Sequence, residues 1–174
     1  GSEMCIRDRN GSEQLAGVPI AKSIFDINGT ASSTSQSNNT VNLFEKVLPT
    51  ISSTALAADN STITATFSEA VFKSRSASGT GFAGNGDLEV SDFVLSMSGG
   101  VATLGSATPT SISKSSNAYT LGINYIGLPN GSEVITVIPA QDAIYDNTGN
   151  IASTTQSNNT KTFNSEKIRI AKSL

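Results

Sequence analysis

Histidine and tryptophan are absent from this chain of 174 residues, and cysteine occurs once. Without histidine, the chain lacks the commonest general base and the commonest zinc ligand. A single cysteine cannot form a disulfide within the chain, so packing and hydrogen bonds must hold any fold together. The many serines and threonines have no readable nucleophile–base pairing, and we therefore expect no enzymatic activity.

Charge is also scarce, because charged residues make up 14% of the sequence and the net charge of −3 is spread along the chain. A nucleic-acid surface needs clustered lysine and arginine, so we expect no nucleic-acid partner. No run of about 18 apolar residues is present, which predicts that no segment inserts into a membrane. Hydrophobic residues amount to 37%, a limited supply that strands with one buried face use efficiently.

An internal repeat organises the chain. Residues 10–40 align without a gap with residues 130–160, and 15 of the 31 positions are identical. Both copies begin with Asn-Gly-Ser-Glu and end with Gln-Ser-Asn-Asn-Thr. We expect each closing run to lead into a final strand. A repeat of this kind indicates a piece of an array whose unit is about 120 residues long.

The repeat predicts the domain boundaries. Residues 10–45 are the carboxy-terminal fragment of a preceding repeat, residues 46–165 are one complete repeat, and residues 166–174 begin a linker to the next. We expect the fragment to be poorly ordered or to pair with an exposed sheet edge. Residues 1–9 resemble translated adapter sequence from assembled environmental DNA and are interpreted as a non-native leader, with a native linker as the alternative.

Hydrophobic residues alternate with polar ones through the complete repeat, which is typical of half-buried strands. Turn sequences containing glycine separate these segments at residues 98–100, 129–131 and 147–149. The predicted fold is therefore all-β, an immunoglobulin-like antiparallel β-sandwich of about seven to eight strands. Most of the core is predicted to come from Ile63, Phe67, Phe93, Leu95, Tyr119, Leu121, Ile123, Ile135 and Val137.

Residues 74–86 are the exception within the repeat. This stretch contains four glycines and three serines and has almost no apolar periodicity. We interpret it as a long loop between strands, and we expect it to be disordered.

Four motifs and their order resemble the recurrent motifs of bacterial immunoglobulin-like domains. They are TATFSEAV at residues 64–71, DFVLS at 92–96, YTL at 119–121 and DNTGN at 146–150. The resemblance covers residues 46–165 fully and residues 10–45 in part. It implies tandem repeats of a large secreted or cell-surface protein of the adhesin or surface-layer type, and hence an extracellular or cell-surface location. It implies no particular ligand.

Calcium is the one cofactor for which the sequence offers candidate ligands, because calcium prefers carboxylate and amide oxygens. The candidates are Glu69, Asp87, Asp92, Asp146 and Asn150. Their spacing matches no EF-hand loop. The alternative interpretation is that Asp146 and Asn147 form an Asx-type turn before Gly149 and that Glu69 is a solvated charge at the end of a strand.

Two functions therefore remain open from the sequence. In the first, the domain is a structural spacer whose partners are neighbouring repeats of the same chain. In the second, it is an adhesive module that binds a surface glycan or protein through its end loops or through residues 74–86. A calcium-stabilised stalk is a variant of the first.

Overall fold

The computed structural model describes residues 11–79 and 81–165, which divide into two compact units at the bond between Val47 and Leu48. The internal repeat predicts this division two residues earlier, after Glu45. Each unit is described by itself. The predicted leader at residues 1–9 and the predicted linker at residues 166–174 lie outside the described residues.

The described residues form strands with a single short 3-10 turn at Val90–Asp92. The fold is therefore all-β, as predicted. In chain order the strands are β1 (Gln14–Ala16), β2 (Thr40–Asn42), β3 (Ile51–Leu56), β4 (Thr62–Phe67), β5 (Val71–Phe72), β6 (Ser74–Ser78), β7 (Gly81–Asn85), β8 (Phe93–Ser98), β9 (Thr103–Leu104), β10 (Ile112–Ser115), β11 (Ala118–Gly122), β12 (Tyr125–Ile126), β13 (Val134–Pro139), β14 (Tyr145–Asp146) and β15 (Thr160–Thr162).

Two antiparallel sheets make up the body of the second unit. Their strand orders are β10-β11-β4-β3 and β15-β13-β8. Phe67 of β4 and Tyr119 of β11 belong to the first sheet, and both approach Phe93 of β8 in the second, with ring centroids 6.3 and 6.1 Å apart. The two sheets thus pack face to face, which is consistent with a β-sandwich.

The alternation in the sequence determines which side chains enter this core. Along β4 and β13, buried residues alternate with half-buried ones, because successive side chains of a strand point to opposite faces. All nine predicted core residues are confirmed as buried, and none is more than 9% exposed. The core also contains Ile51, Val71, Leu88 and Ile144, which lie outside the predicted set.

Residues 74–86 do not form the disordered loop expected from the sequence. β6 and β7 pair as an antiparallel hairpin from Ser74 opposite Asn85 to Ser78 opposite Gly81. Small residues are needed here because the hairpin lies close to its neighbours: a Cβ at Gly84 would overlap the ring of Phe72. The composition that suggested disorder is therefore compatible with close backbone packing.

In the described part of the first unit, β1 and β2 pair with each other as an antiparallel hairpin. This pairing within the fragment differs from the expectation that the fragment is poorly ordered or pairs with an exposed sheet edge. Leu15 lies opposite Val41. In the second unit, Ile135 of β13 lies opposite Lys161 of β15, and each of the three pairs in the first hairpin recurs there with both numbers raised by 120. The repeat in sequence is thus also a repeat of strand register.

Side-chain hydrogen bonds follow the same repeat. The amide nitrogen of Asn39 donates to the carbonyl of Gly17 at 2.8 Å, and that of Asn159 donates to the carbonyl of Val137 at 2.7 Å. Each closing run leads into a strand as predicted, because Thr40 begins β2 and Thr160 begins β15.

Candidate functional site

Asp146 and Asn150 are the two calcium candidates that the structure brings together. Asp146 is fully buried at the end of β14. Its Oδ1 accepts the backbone N–H groups of Thr148 and Asn150 at 2.7 and 2.8 Å, and its Oδ2 accepts the side-chain amide of Asn150 at 2.7 Å. The interpretation of this segment as an Asx-type turn is therefore confirmed. N–H groups of Thr148 and Asn150 thus already donate to both oxygens of the Asp146 carboxylate, which a cation would need as ligands.

The other three candidates do not complete a metal site with this pair. Asp87 forms an ion pair with Lys114 at 2.9 Å, and the hydrogen bond from Lys114 holds the pKa of Asp87 below its usual value. Asp92 accepts the backbone N–H of Glu89 at 2.7 Å, and burial raises its pKa. Glu69 lies in the bend between β4 and β5. Within residues 11–79 and 81–165, no three acidic or cysteine side chains are grouped as metal ligands.

Calcium is therefore expected to leave the thermal stability of the protein unchanged. A cation at Asp146 would have to displace hydrogen bonds from Thr148 and Asn150 that already satisfy the carboxylate. Melting curves recorded with calcium and then with a chelator check this expectation. A higher midpoint with calcium that disappears in the variant Asp146→Asn would contradict it and would support the calcium-stabilised stalk.

The β6–β7 hairpin covers the turn that contains Asp146. The guanidinium of Arg75 lies 4.4 Å from the ring centroid of Phe82 and 5.3 Å from that of Tyr145, and it donates to the carbonyl of Gly149 at 2.7 Å. Gly149 has a φ of +84°, and a Cβ there would lie 2.6 Å from the Cβ of Phe82. Arg75 thus fastens the hairpin to the turn through two cation–π contacts and one hydrogen bond.

Glu133 joins two loops through a buried carboxylate. Its Oε1 accepts the backbone N–H groups of Val101 and Ala102 at 2.8 and 3.1 Å, and its Oε2 accepts those of Asn130 and Gly131 at 3.1 and 3.0 Å. The side chain is inaccessible to solvent. Burial by itself would raise the pKa of Glu133, but these N–H donors favour the ionised form more strongly and lower the pKa to about 2.

Asn60 fixes the position of the last described segment of the second unit. It is fully buried in the turn between β3 and β4, with a φ of 59° that asparagine tolerates better than most residues. Its side chain donates to the carbonyl of Asn164 at 2.9 Å and accepts the N–H of Asn164 at 2.8 Å. Asn164 also donates to the carbonyls of Ala57 and Ala58 at 3.3 and 3.2 Å. The segment after β15 is thus tied to this turn.

β3, the first strand of the second unit, begins at the end of the strand that is far from Asn60. Ile51, the first residue of β3, pairs with Phe67 and donates its N–H to Oε1 of Gln156 at 2.8 Å. From there β3 runs to Leu56, next to the turn that holds Asn60, and a strand of this length spans about 17 Å. We call the end with Ile51 the amino pole and the end with Asn60 the carboxyl pole.

A shallow polar groove of about 280 Å³ runs between β3 and β15. Its lining residues are Ser52, Ser53, Thr54, Ser157, Asn158, Thr160 and Lys161. The hydroxyl of Thr54 lies 3.1 Å from the carbonyls of both Asn158 and Thr160. Hydroxyl, amide and ammonium groups can hydrogen-bond to a polar ligand, but the groove has no aromatic ring in its lining on which a sugar could stack.

Sequence reasoning missed Glu133, Asn60 and Asn164 as organising residues. The signal for Glu133 was present, because the sequence Asn-Gly-Ser-Glu begins both copies of the repeat. Asn60 and Asn164 had no such signal, since they are 104 positions apart and only folding brings them together.

Comparison with protein-family models, curated proteins and solved structures found no match. In the part of the chain that the structure describes, no helix has the length and apolar character needed to cross a membrane.

Proposed function

We propose that the second unit is an immunoglobulin-like spacer repeat without a catalytic role, belonging to a large bacterial protein of the cell surface or extracellular space. The observation that carries this proposal is the position of the two poles. The chain starts β3 at Ile51, and Asn60 holds the last described segment, at Asn164, at the opposite end of β3. Copies joined in this way extend in a line, because each one begins where the previous one ends.

The sheet arrangement supports the immunoglobulin-like part of the proposal. The four- and three-stranded sheets contain seven strands in antiparallel pairing, which is the size of the smaller immunoglobulin-type sandwiches. The β6–β7 hairpin and the two-residue strands are additions to that framework. The bacterial and extracellular setting is supported by the sequence resemblance.

The repeated hairpin supports the tandem part of the proposal. The strand register and the asparagine contacts at residues 39 and 159 recur after 120 residues. Such a recurrence is expected of a modular array in which each unit has neighbours of its own kind. The partners of the domain in this proposal are therefore adjacent repeats.

Small-angle scattering from proteins with one, two and three copies of residues 48–165, joined by residues 44–47, tests the proposal. We expect the maximum dimension to grow by a constant step of about 35–45 Å per copy, the diameter of a domain of this size. The matched variant Asn60→Gly releases the carboxyl pole and should broaden the distance distribution. A two-copy protein no longer than the single copy would overturn the spacer role.

The adhesive alternative predicts a different result in a binding assay. If the domain is adhesive, the wild-type domain binds a glycan or a cell surface. A variant with the β6–β7 hairpin shortened to a two-residue turn, or the variant Lys161→Ala in the polar groove, would then lose this binding. If the domain is a spacer, neither change affects binding or extension.

A further inference from the structure

The hairpin of the first unit exposes apolar side chains that the corresponding hairpin of the second unit buries. Leu15 is 47% exposed, whereas Ile135, its equivalent 120 residues later, is 0% exposed. Ile24 is 56% exposed, and its equivalent Ile144 is again 0% exposed. One sheet edge also differs: among the described residues, β1 pairs with β2 alone, whereas β13 pairs with β15 on one edge and β8 on the other.

The turn in the first unit has the same construction as the turn around Asp146. Asp26 accepts the N–H groups of Asn28 and Thr30 at 2.9 and 2.8 Å. Gly29 has a φ of +81°, but apart from its neighbours in the chain no described residue places an atom within 4 Å of the position of a Cβ there. Its equivalent Gly149 lies against Phe82 of the β6–β7 hairpin.

An open groove lined by both apolar and polar residues lies beside the turn of the first unit. It has a volume of about 370 Å³, and Ile24 and Phe25 contribute to its lining. Phe25 is 54% exposed and is the equivalent of Tyr145, whose ring lies under Arg75. The turn, the glycine and the aromatic side chain are thus arranged as in the second unit, without the hairpin that covers them there.

We propose that this face, comprising the apolar side chains of residues 13–44, binds a polypeptide segment equivalent to residues 48–129 of this repeat and completes a second sandwich with it. The proposal rests on the proposed function, since it takes the chain to be built from such repeats. The occupant is identified by the internal repeat: residues 48–129 supply β8, the β6–β7 hairpin and the side chains that cover Ile135 and Ile144 in the second unit.

The register of the second unit defines the expected contacts. Ile135 lies opposite Met97 and Val137 lies opposite Leu95 in the pairing of β13 with β8. The free edge of β1 would therefore pair with a β8-like strand that places Leu15 opposite the equivalent of Met97. Gly17 would stand in place of Val137 and leave space in the new core.

The test uses residues 10–174 preceded by a copy of residues 46–129, which replaces residues 1–9 and is joined directly to Asn10. This junction reproduces the natural step from Pro129 to Asn130. Hydrogen exchange should show β1 and β2 amides protected at least tenfold more strongly than in the unextended chain. Leu15→Asp should abolish the gain, whereas Ile126→Asp, made only in the second unit at a side chain that is 65% exposed, should preserve it. Gly17→Val should increase it, because no atom lies within 4 Å of a Cβ at Gly17 and the new side chain fills the space.

A second measurement covers the case in which the extended chain does not fold. The segment of residues 46–129 is then titrated as a separate polypeptide against the full chain, and native mass spectrometry should show a one-to-one complex that Leu15→Asp prevents. The proposal is overturned if neither experiment gives Leu15-dependent protection or binding, or if β1 is protected in a dimer of the unextended chain. The scattering series contains only residues 48–165 and their joining residues, so the proposed function can fail there independently of this result.

Discussion

Replacing Phe67 by alanine is expected to lower the free energy of unfolding of the second unit by about 3–5 kcal/mol. Phe67 is 2% exposed, and its ring contacts Tyr119 edge-on at a centroid distance of 5.9 Å and Phe93 at 6.3 Å. Tyr119 is on the same sheet as Phe67, and Phe93 is on the opposite sheet. The cavity left by alanine would therefore lie at the interface between the two sheets. With no disulfide to limit the unfolded chain, packing of this kind must supply most of the stability.

Chemical denaturation of the wild-type and variant proteins measures this effect. Val101→Ala is the matched control, since Val101 is 68% exposed and loses little contact when it is shortened. The control should change the free energy of unfolding by less than about 0.5 kcal/mol. A loss from Phe67→Ala as small as the control's would show that the aromatic cluster does not join the two sheets.

The aromatic cluster was readable from the sequence because alternation is a local signal. Phe67 follows Ile63 and Ala65 at intervals of two, and the same period places Tyr119 and Leu121 on one face of β11. Burying one face of a strand requires this spacing and little else. The repeat was readable for a similar reason, since it is a comparison of the chain with itself.

The β6–β7 hairpin was not readable because its stabilising contacts are not local. The guanidinium of Arg75 lies over the ring of Phe82, which is seven residues later in the chain. Its other contacts are with Tyr145 and Gly149, which are about seventy residues away. A strand composed of serine, glycine and alanine has little intrinsic preference for extended structure, so tertiary contacts decide its conformation. A sequence pattern based on propensity therefore predicted disorder.

The candidate calcium ligands illustrate the same limit at the level of single side chains. The sequence correctly placed Asp146 and Asn150 in one turn, but it could not show that backbone N–H groups occupy the Asp146 carboxylate. Whether an acidic side chain faces solvent, a cation or backbone donors depends on the path of the chain around it. Glu133 is the clearest case, because Val101 and Ala102, two of its donors, lie more than thirty positions away.

Glu133→Gln is expected to destabilise the second unit at neutral pH and to remove part of its sensitivity to acid. The pKa of Glu133 in the folded protein is about 2, below the ordinary value of 4.5. The folded state therefore favours the ionised carboxylate, and the resulting stabilisation is fully present above about pH 4.5 and is lost as the pH falls towards 2. Glutamine cannot ionise, and its NH₂ group would face the N–H donors of Val101 or Gly131.

Urea unfolding of both proteins at pH 7, 4.5, 3 and 2 checks this prediction. The difference in stability between wild type and Glu133→Gln should be largest at pH 7 and should shrink steadily between pH 4.5 and pH 2. Asp142→Asn, which removes one negative charge from an exposed side chain, controls for net charge. If the difference stayed constant down to pH 2, the buried carboxylate would not be the group that titrates. The contribution of Glu133 to stability would then come from the shape and packing of its side chain, since its charge would have no measurable effect.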